Sequence, residues 1–308
     1  MTRSTRKRRL KKMFDFIAGP LGKALYFIYD VLAFRNYGIA IIFFTFFIKI
    51  VMMPLTIKQT KSTAKMTEVQ PMLQDIQKRY AGDKEKINQE TMKLYQEKGV
   101  NPMGGCLPLL IQFPILISLF SVITRPLTFM LGKSKEVIEI LKTFVSGQLG
   151  VVTRYPEIEI LNYFQAHTAD LNLEPVKGLL NQPELINFNF LGLNLGLTPT
   201  ISTEKLFGAE MWTYLPLLLI PILATALTFL STKLTAPQPT GGTDKQAGSM
   251  KMMQYMGPVI TLIFSFQLPA GIGLYWMAQN VFQVLERLAI NKFILNKPKD
   301  ISEQEAPK

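Results

Sequence analysis

Residues 38–57 read Gly38-Ile-Ala-Ile-Ile-Phe-Phe-Thr-Phe-Phe-Ile-Lys-Ile-Val-Met-Met-Pro-Leu-Thr-Ile57, an apolar run broken by a single charge. A helix needs about 20 such residues to cross a hydrocarbon core roughly 30 Å thick, and this run is long enough. The hydrophobic content of 48% would suit a soluble protein equally well, so distribution decides the class rather than the total. Working outward, the apolar residues gather again at Leu107–Ile123, Trp212–Leu230 and Gln254–Leu285. The last block is too long for one span, and Leu268-Pro269-Ala270-Gly271 breaks it into a hairpin of two. The expected fold class is an all-α integral membrane protein. Its five-transmembrane-helix core occupies 35–288, with spans near 38–57, 103–125, 211–231, 254–267 and 269–288.

The segments between the spans have characters of their own. Residues 1–34 start with a basic run, Met1–Lys12, and continue with Phe14, Ile17, Leu21, Leu25 and Ile28 at helical spacing. Asp15, Lys23 and Asp30 interrupt this stretch and Gly19-Pro20 disturbs its first turns, so it reads as an amphipathic helix in the membrane interface. A basic run before an apolar stretch is also a signal-peptide pattern, but no small-residue cleavage site follows. Residues 58–101 carry Met66, Val69, Leu73, Ile76 and Tyr80, then Ile87 and Leu94, at helical spacing on either side of Gly82-Asp83. That pattern predicts a charged helical hairpin with Asp83 as N-cap, Gly99 as terminator and Asn101-Pro102 opening the next span. Residues 126–210 form a long polar outer connection without strong periodicity. Within it, Asn187–Gly196 partly alternates and reads as extended along the membrane surface. A flexible loop over 232–252 and a polar tail over 289–308 complete the chain.

Basic residues sort these loops by side. The hairpin, the 232–252 loop and the tail carry more basic than acidic residues, and 126–210 the reverse. Five spans then place the first three, with the C-terminus, in the cytoplasm of a bacterial cell and the N-terminus outside. The basic run is then on the unfavoured side. Either it is tolerated because it is short, or Phe14–Leu32 spans after all; the five-span count takes the first. With a net charge of +12 on a membrane chain, anionic lipids and ribosomal RNA are the expected polyanionic partners, and DNA is not. Cys106 is the only cysteine, which excludes an internal disulfide and suits a packing role. His167, the only histidine, lies in a polar loop and reads as a surface residue.

Lys49 is the most informative residue. It lies about 12 Å from Ile57 at the helical rise, where a lone charge costs roughly 2.5–3.5 kcal/mol. A snorkelling lysine is the plain reading, and a lysine facing a wetted cavity the sharper one. Thr45 lies one turn before it on the same face, and Gln112 sits among apolar residues on the second span. Gln254, Thr261 and Ser265 share a stripe on the fourth span. On the fifth, Tyr275 pairs in spacing with Gln279 and Trp276 with Asn280. Every span but the third thus offers polar groups that lipid cannot satisfy, which predicts a polar groove. On this reading no acidic residue within the spans pairs with Lys49, so a proton or cation pump is disfavoured and negatively charged cargo suits the site. No hydrolase, metalloprotease or phosphate-loop motif appears, so neither enzyme chemistry, nor a cofactor, nor a metal is expected. The rival class, a small-molecule transporter or channel, should show internal repeats or paired broken helices, and neither is visible.

Three runs carry a resemblance. Lys49–Leu55 is followed by Lys58-Gln-Thr-Lys-Ser62 and Gln70-Pro71; the second run is Gly99-Val-Asn-Pro-Met-Gly-Gly-Cys-Leu-Pro-Leu-Leu-Ile-Gln-Phe-Pro114; the third is Phe266-Gln-Leu-Pro-Ala-Gly-Ile-Gly-Leu-Tyr-Trp276. Together they resemble the YidC family of membrane protein insertases, bacterial relatives of the mitochondrial Oxa and chloroplast Alb insertases. The resemblance covers the interfacial helix, the spans and the hairpin. It weakens across Ser134–Gln182, and Met1–Lys12 has no counterpart. It implies a five-helix core around a hydrophilic groove, open to cytoplasm and lipid and closed outside. Lys49 would stand where the family usually has arginine, Thr45 would match a groove threonine, and Tyr275 and Trp276 the aromatic pair along which client helices slide. Nascent membrane proteins are the implied partners, with the Sec translocon and the ribosome as further candidates.

Overall fold

The computed structural model describes residues 3–101, 107–150, 154–235 and 244–295, with side-chain surroundings described throughout these except at 3–12, 107–112, 235, 244–251, 253–254 and 294–295. Gly104, Gly105, Cys106 and Pro102, the loop at 236–243 and the tail from 296 therefore lie outside the described residues.

Helix α1 (Arg3–Phe27) continues through Pro20, where the sequence suggested a disturbance, and passes into a wide turn at Ile28–Leu32. A proline inside a helix removes one backbone hydrogen bond. Here the packing of the helix outweighs that loss, since Ala18, Gly22 and Leu25 are buried. Gly22 lies so close to the backbone of Phe129 that a Cβ there would come within 2.3 Å of the Phe129 carbonyl oxygen. After a short turn, Asn36 caps α2 (Tyr37–Arg79) by accepting from the Ile39 amide at 3.1 Å. This single helix carries both the first apolar block and the first arm of the hairpin. Asp83 caps the second arm, α3 (Lys84–Glu97), by accepting from the Lys86 amide at 3.0 Å. Gly82 and Gly99 take the positive φ that each turn requires. Val69, Leu94 and Val100 hold the two arms together through a small apolar cluster of their own.

Helix α4 (Leu107–Thr124) packs along α1, where the Ser118 hydroxyl donates to the Phe14 carbonyl at 3.2 Å and Arg125 pairs with Asp15 at 2.8 Å. The segment after it was expected to be an irregular polar connection. Instead it folds into short helices around a core: α5 (Pro126–Phe129), α6 (Lys135–Leu149) and α7 (Pro156–Ala166). Ile138, Leu141 and Val145 form one face of α6 and pack against Ile160, Leu161 and Phe164 of α7. Val176, Leu180, Ile186 and Phe188 close the cluster. The Glu157 carboxylate accepts from the Thr128 amide at 2.8 Å and from its hydroxyl at 2.6 Å, tying α7 to α5. Burial raises the Glu157 pKa above the ordinary glutamate value, even though these bonds favour the charged form.

Asn187–Gly196 contains a two-residue hairpin, β1 (Asn189–Phe190) antiparallel to β2 (Leu193–Asn194), turning at Leu191-Gly192 with positive φ at both. This is the one departure from an all-α fold among the described residues, and it works as a clasp. Tyr37 donates its amide to the Asn187 carbonyl, the Asn187 amide donates to the Tyr29 hydroxyl, and Asn36 donates to the Asn189 carbonyl. On the other side, the amides of Ala270 and Gly271 donate to the carbonyls of Leu197 and Leu195 at 2.8 Å each. Those two amides open a helix and would otherwise lack partners.

Short helices α8 (Thr203–Phe207) and α9 (Met211–Tyr214) lead into α10 (Leu219–Thr235), then α11 (Asp244–Ser265) and α12 (Ala270–Ile290). Both α10 and α11 run into the expected 232–252 loop and shorten it. Helix α10 packs on α11 and α12, and α12 packs on α2. Among the described residues, Tyr37–Arg79 and Met211–Leu234 are long and apolar enough to cross a membrane, and shorter apolar helical stretches run over Phe113–Thr124 and Tyr255–Ser265. The outward faces of these helices are apolar: Phe43, Phe47 and Val51 on α2, Ile222 and Leu230 on α10, Val259 and Ile263 on α11, and Leu285 on α12 are all exposed. Such a continuous apolar exterior suits lipid rather than water.

Candidate functional site

Lys49 and Glu286 meet between α2 and α12. The Lys49 ammonium donates to Glu286 Oε2 at 3.2 Å, with side-chain exposures of 15% and 6%. This overturns the expectation that Lys49 has no acidic partner within the spans. Glu286 stands four residues before the end of α12, about 6 Å along its axis. Among the described residues, Glu286 Oε1 is buried with no hydrogen-bond partner. Phe46 and Phe282 meet one turn earlier on the same two helices, with ring centroids 5.4 Å apart. Helices α2 and α12 therefore run side by side in the same direction, and the ion pair closes their contact.

The other expected site residues separate into four groups. Thr45 is fully buried and donates to the Ile41 carbonyl of its own helix at 2.7 Å, so its hydroxyl is already satisfied. Tyr275 is buried in the core, and Trp276 packs half-buried against it. Asn280 is half-buried; its amide donates to the Trp276 carbonyl at 2.8 Å and to the Thr228 hydroxyl at 2.9 Å. Gln279 is half-buried one position away. The side chains of Gln112 and Gln254 lie outside the described residues.

Thr228 belongs to α10, the span expected to offer no polar group at membrane depth. It donates to the Ala224 carbonyl at 2.7 Å and lies 3.4 Å from the Thr261 hydroxyl of α11. Ser231 is also buried on α10, as are Thr261 and Ser265 on α11. The polar groups of α10, α11 and α12 thus converge on Thr228, while Lys49 and Glu286 form a second centre on α2 and α12. Thr225, Thr228 and Thr232 recur every three to four residues on α10, with Ser231 beside them, a stripe that was legible in the sequence. Glu286 was overlooked because Arg287 follows it directly, so the pair reads as the polar tail that begins after Leu285.

The end of this bundle formed by the starts of α2 and α12 is covered. The Tyr155 hydroxyl donates to the Gln267 carbonyl at 2.9 Å, and the β1–β2 clasp covers the starts of α2 and α12. Among the described residues, no group of histidine, cysteine, aspartate or glutamate side chains could hold a metal ion.

A family model described as 60Kd inner membrane protein matches residues 27–297. The chain belongs to that family. The family's match starts at the end of α1 and runs through α12 into the tail. Among its curated members, the membrane protein insertase YidC of Caldanaerobacter subterraneus is 32% identical over 273 residues, covering 88% of this chain and 92% of its own length. The membrane protein insertase YidC 2 of Listeria innocua is 32% identical over 295 residues, covering 94% of this chain and 75% of its own length. The membrane protein insertase YidC of Oceanobacillus iheyensis is 30% identical over 269 residues, covering 85% of this chain and 77% of its own length. The family is not one of enzymes.

Proposed function

We propose that this chain is a membrane protein insertase of the bacterial cell membrane, which takes client transmembrane segments into the bilayer through a wetted, positively charged groove. The observation that carries the reading is Lys49, a cation held on an apolar helix. A segment crossing lipid retains a charge only at considerable cost, so an ionisable residue there marks function. The five spans, with the hairpin and the C-terminus on the cytoplasmic side, belong to the same proposal. So do the roles of Thr45, Gln112, Tyr275, Trp276, Gln279 and Asn280 as groove residues.

The reaction needs no covalent step. The polar tail of a client enters from the cytoplasmic side, where water and Lys49 replace part of its lost hydration. Its apolar helix then leaves along α2 and α12, and burial of apolar area in lipid drives the transfer at about 25 cal/mol per Å². The closed outer end keeps this path from becoming a pore. Anionic lipids would orient the basic loops, and the hairpin α2–α3 would receive clients from the ribosome or the Sec translocon.

The test is reconstitution of the purified chain in liposomes with a single-span client whose acidic tail must cross. Lys49→Arg should preserve protease protection of the tail, and Lys49→Ala should reduce it. Normal protection with Lys49→Ala would refute the electrostatic role, and solute flux without any client would favour a transporter.

A further inference from the structure

The ion pair itself suggests how the site is regulated. A buried salt bridge is a poor staple, because desolvating two charges costs about as much as their attraction returns. Helices α2 and α12 already have an apolar contact one turn away, between Phe46 and Phe282. Among the described residues the Glu286 carboxylate is also incompletely satisfied, with Oε2 on Lys49 and Oε1 buried without a partner. If adhesion were its whole purpose, a leucine pair would serve better. A carboxylate bonded on one side only is suited to exchange.

We propose that Glu286 is a built-in stand-in for the client's acidic group. It neutralises Lys49 while the site is empty and gives the lysine up when a client carboxylate arrives. This rests on the insertase reading above and adds the residue that sets which tails are accepted. Exchange of one carboxylate for another leaves Lys49 paired at both ends of the step, so neither state contains a lone buried cation. Lys49 is the more exposed partner, at 15% against 6% for Glu286, so an incoming carboxylate meets the pair from the lysine side. A neutral tail has nothing to exchange and must pass an intact pair. Tail charge is therefore read as competition with Glu286, and the protein discriminates among acidic tails by how well they displace it.

The magnitude follows from population arithmetic. If the pair is closed about nine-tenths of the time, the apparent affinity of Lys49 for a client carboxylate is lowered roughly ten-fold, and removing Glu286 restores it.

The experiment uses the full-length chain in liposomes with two versions of one single-span client, its translocated tail carrying either two aspartates or two asparagines. Protease protection gives the ratio of acidic to neutral tail inserted. Glu286→Gln should raise that ratio several-fold over wild type. Glu286→Asp, one methylene shorter, should give an intermediate rise. Adding Lys49→Gln to Glu286→Gln should remove the preference altogether. An unchanged ratio in both single variants, or an equal loss of both clients, would show that the pair is only structural and overturn the proposal. If the wild-type protein inserts neither client above empty liposomes, the insertase reading itself fails, which is a separate outcome.

Discussion

Removing one partner of the Lys49–Glu286 pair should cost far more than removing both. Lys49→Met leaves Glu286, 6% exposed and with one oxygen already unpartnered, as a buried carboxylate with no cation. Breaking a fully buried pair from one side costs about 3–5 kcal/mol, whereas replacing both partners by apolar groups of similar volume is often neutral or stabilising. Lys49 retains 15% exposure, which lets water recover part of the loss in the opposite variant. The expected costs are therefore about 3 kcal/mol for Lys49→Met and about 2 kcal/mol for Glu286→Met, with the double variant Lys49→Met/Glu286→Met within about 1 kcal/mol of wild type. Thermal or denaturant unfolding of the purified protein in detergent, followed by tryptophan fluorescence, reads all four corners of the cycle. Trp276 packs against the core on α12, so its emission reports the unfolding of that helix. Two single costs that simply add in the double variant would mean the charges do not interact, and the site described here would lose its centre.

The assembly of residues 126–197 and its contact with α2 offer two further tests. Glu157 has its pKa raised by burial, so the folded form prefers the proton and the stability it contributes is lost as pH rises from the ordinary glutamate value through the raised one. Glu157→Gln should therefore gain in melting temperature over wild type as pH increases across that window; a constant difference at all pH values would contradict the assignment. At Gly38 an added Cβ would come within 2.2 Å of the Phe190 ring, so Gly38→Ala should displace the β1–β2 clasp and destabilise the protein by about 1–3 kcal/mol, which faster hydrogen exchange at the Gly271 and Ala270 amides would register.

The mostly helical fold, the apolar stretches and the hairpin turn were legible because each rests on local rules. Apolar run length marks the helices that suit lipid. Asp83 is a capping residue in the right place, and Gly82 and Gly99 supply positive φ. The region 126–210 was misread because its signals are short. Ser134 caps α6, Pro156 opens α7 and Ile138, Leu141 and Val145 form a face, yet each element is too brief to stand out from a polar background. Its stability comes from a core assembled across 126–197, which no window of sequence displays.

The sequence by itself determined that this chain carries a lysine on a helix long enough to cross lipid, because hydropathy and helical rise are properties of consecutive residues. Tertiary structure alone decided that Glu286 faces that lysine from 237 residues away, that Thr228 gathers the polar groups of three helices, and that residues 187–197 bolt the starts of α2 and α12 together. Such pairings depend on which helices become neighbours, and packing settles that only after the local elements have formed.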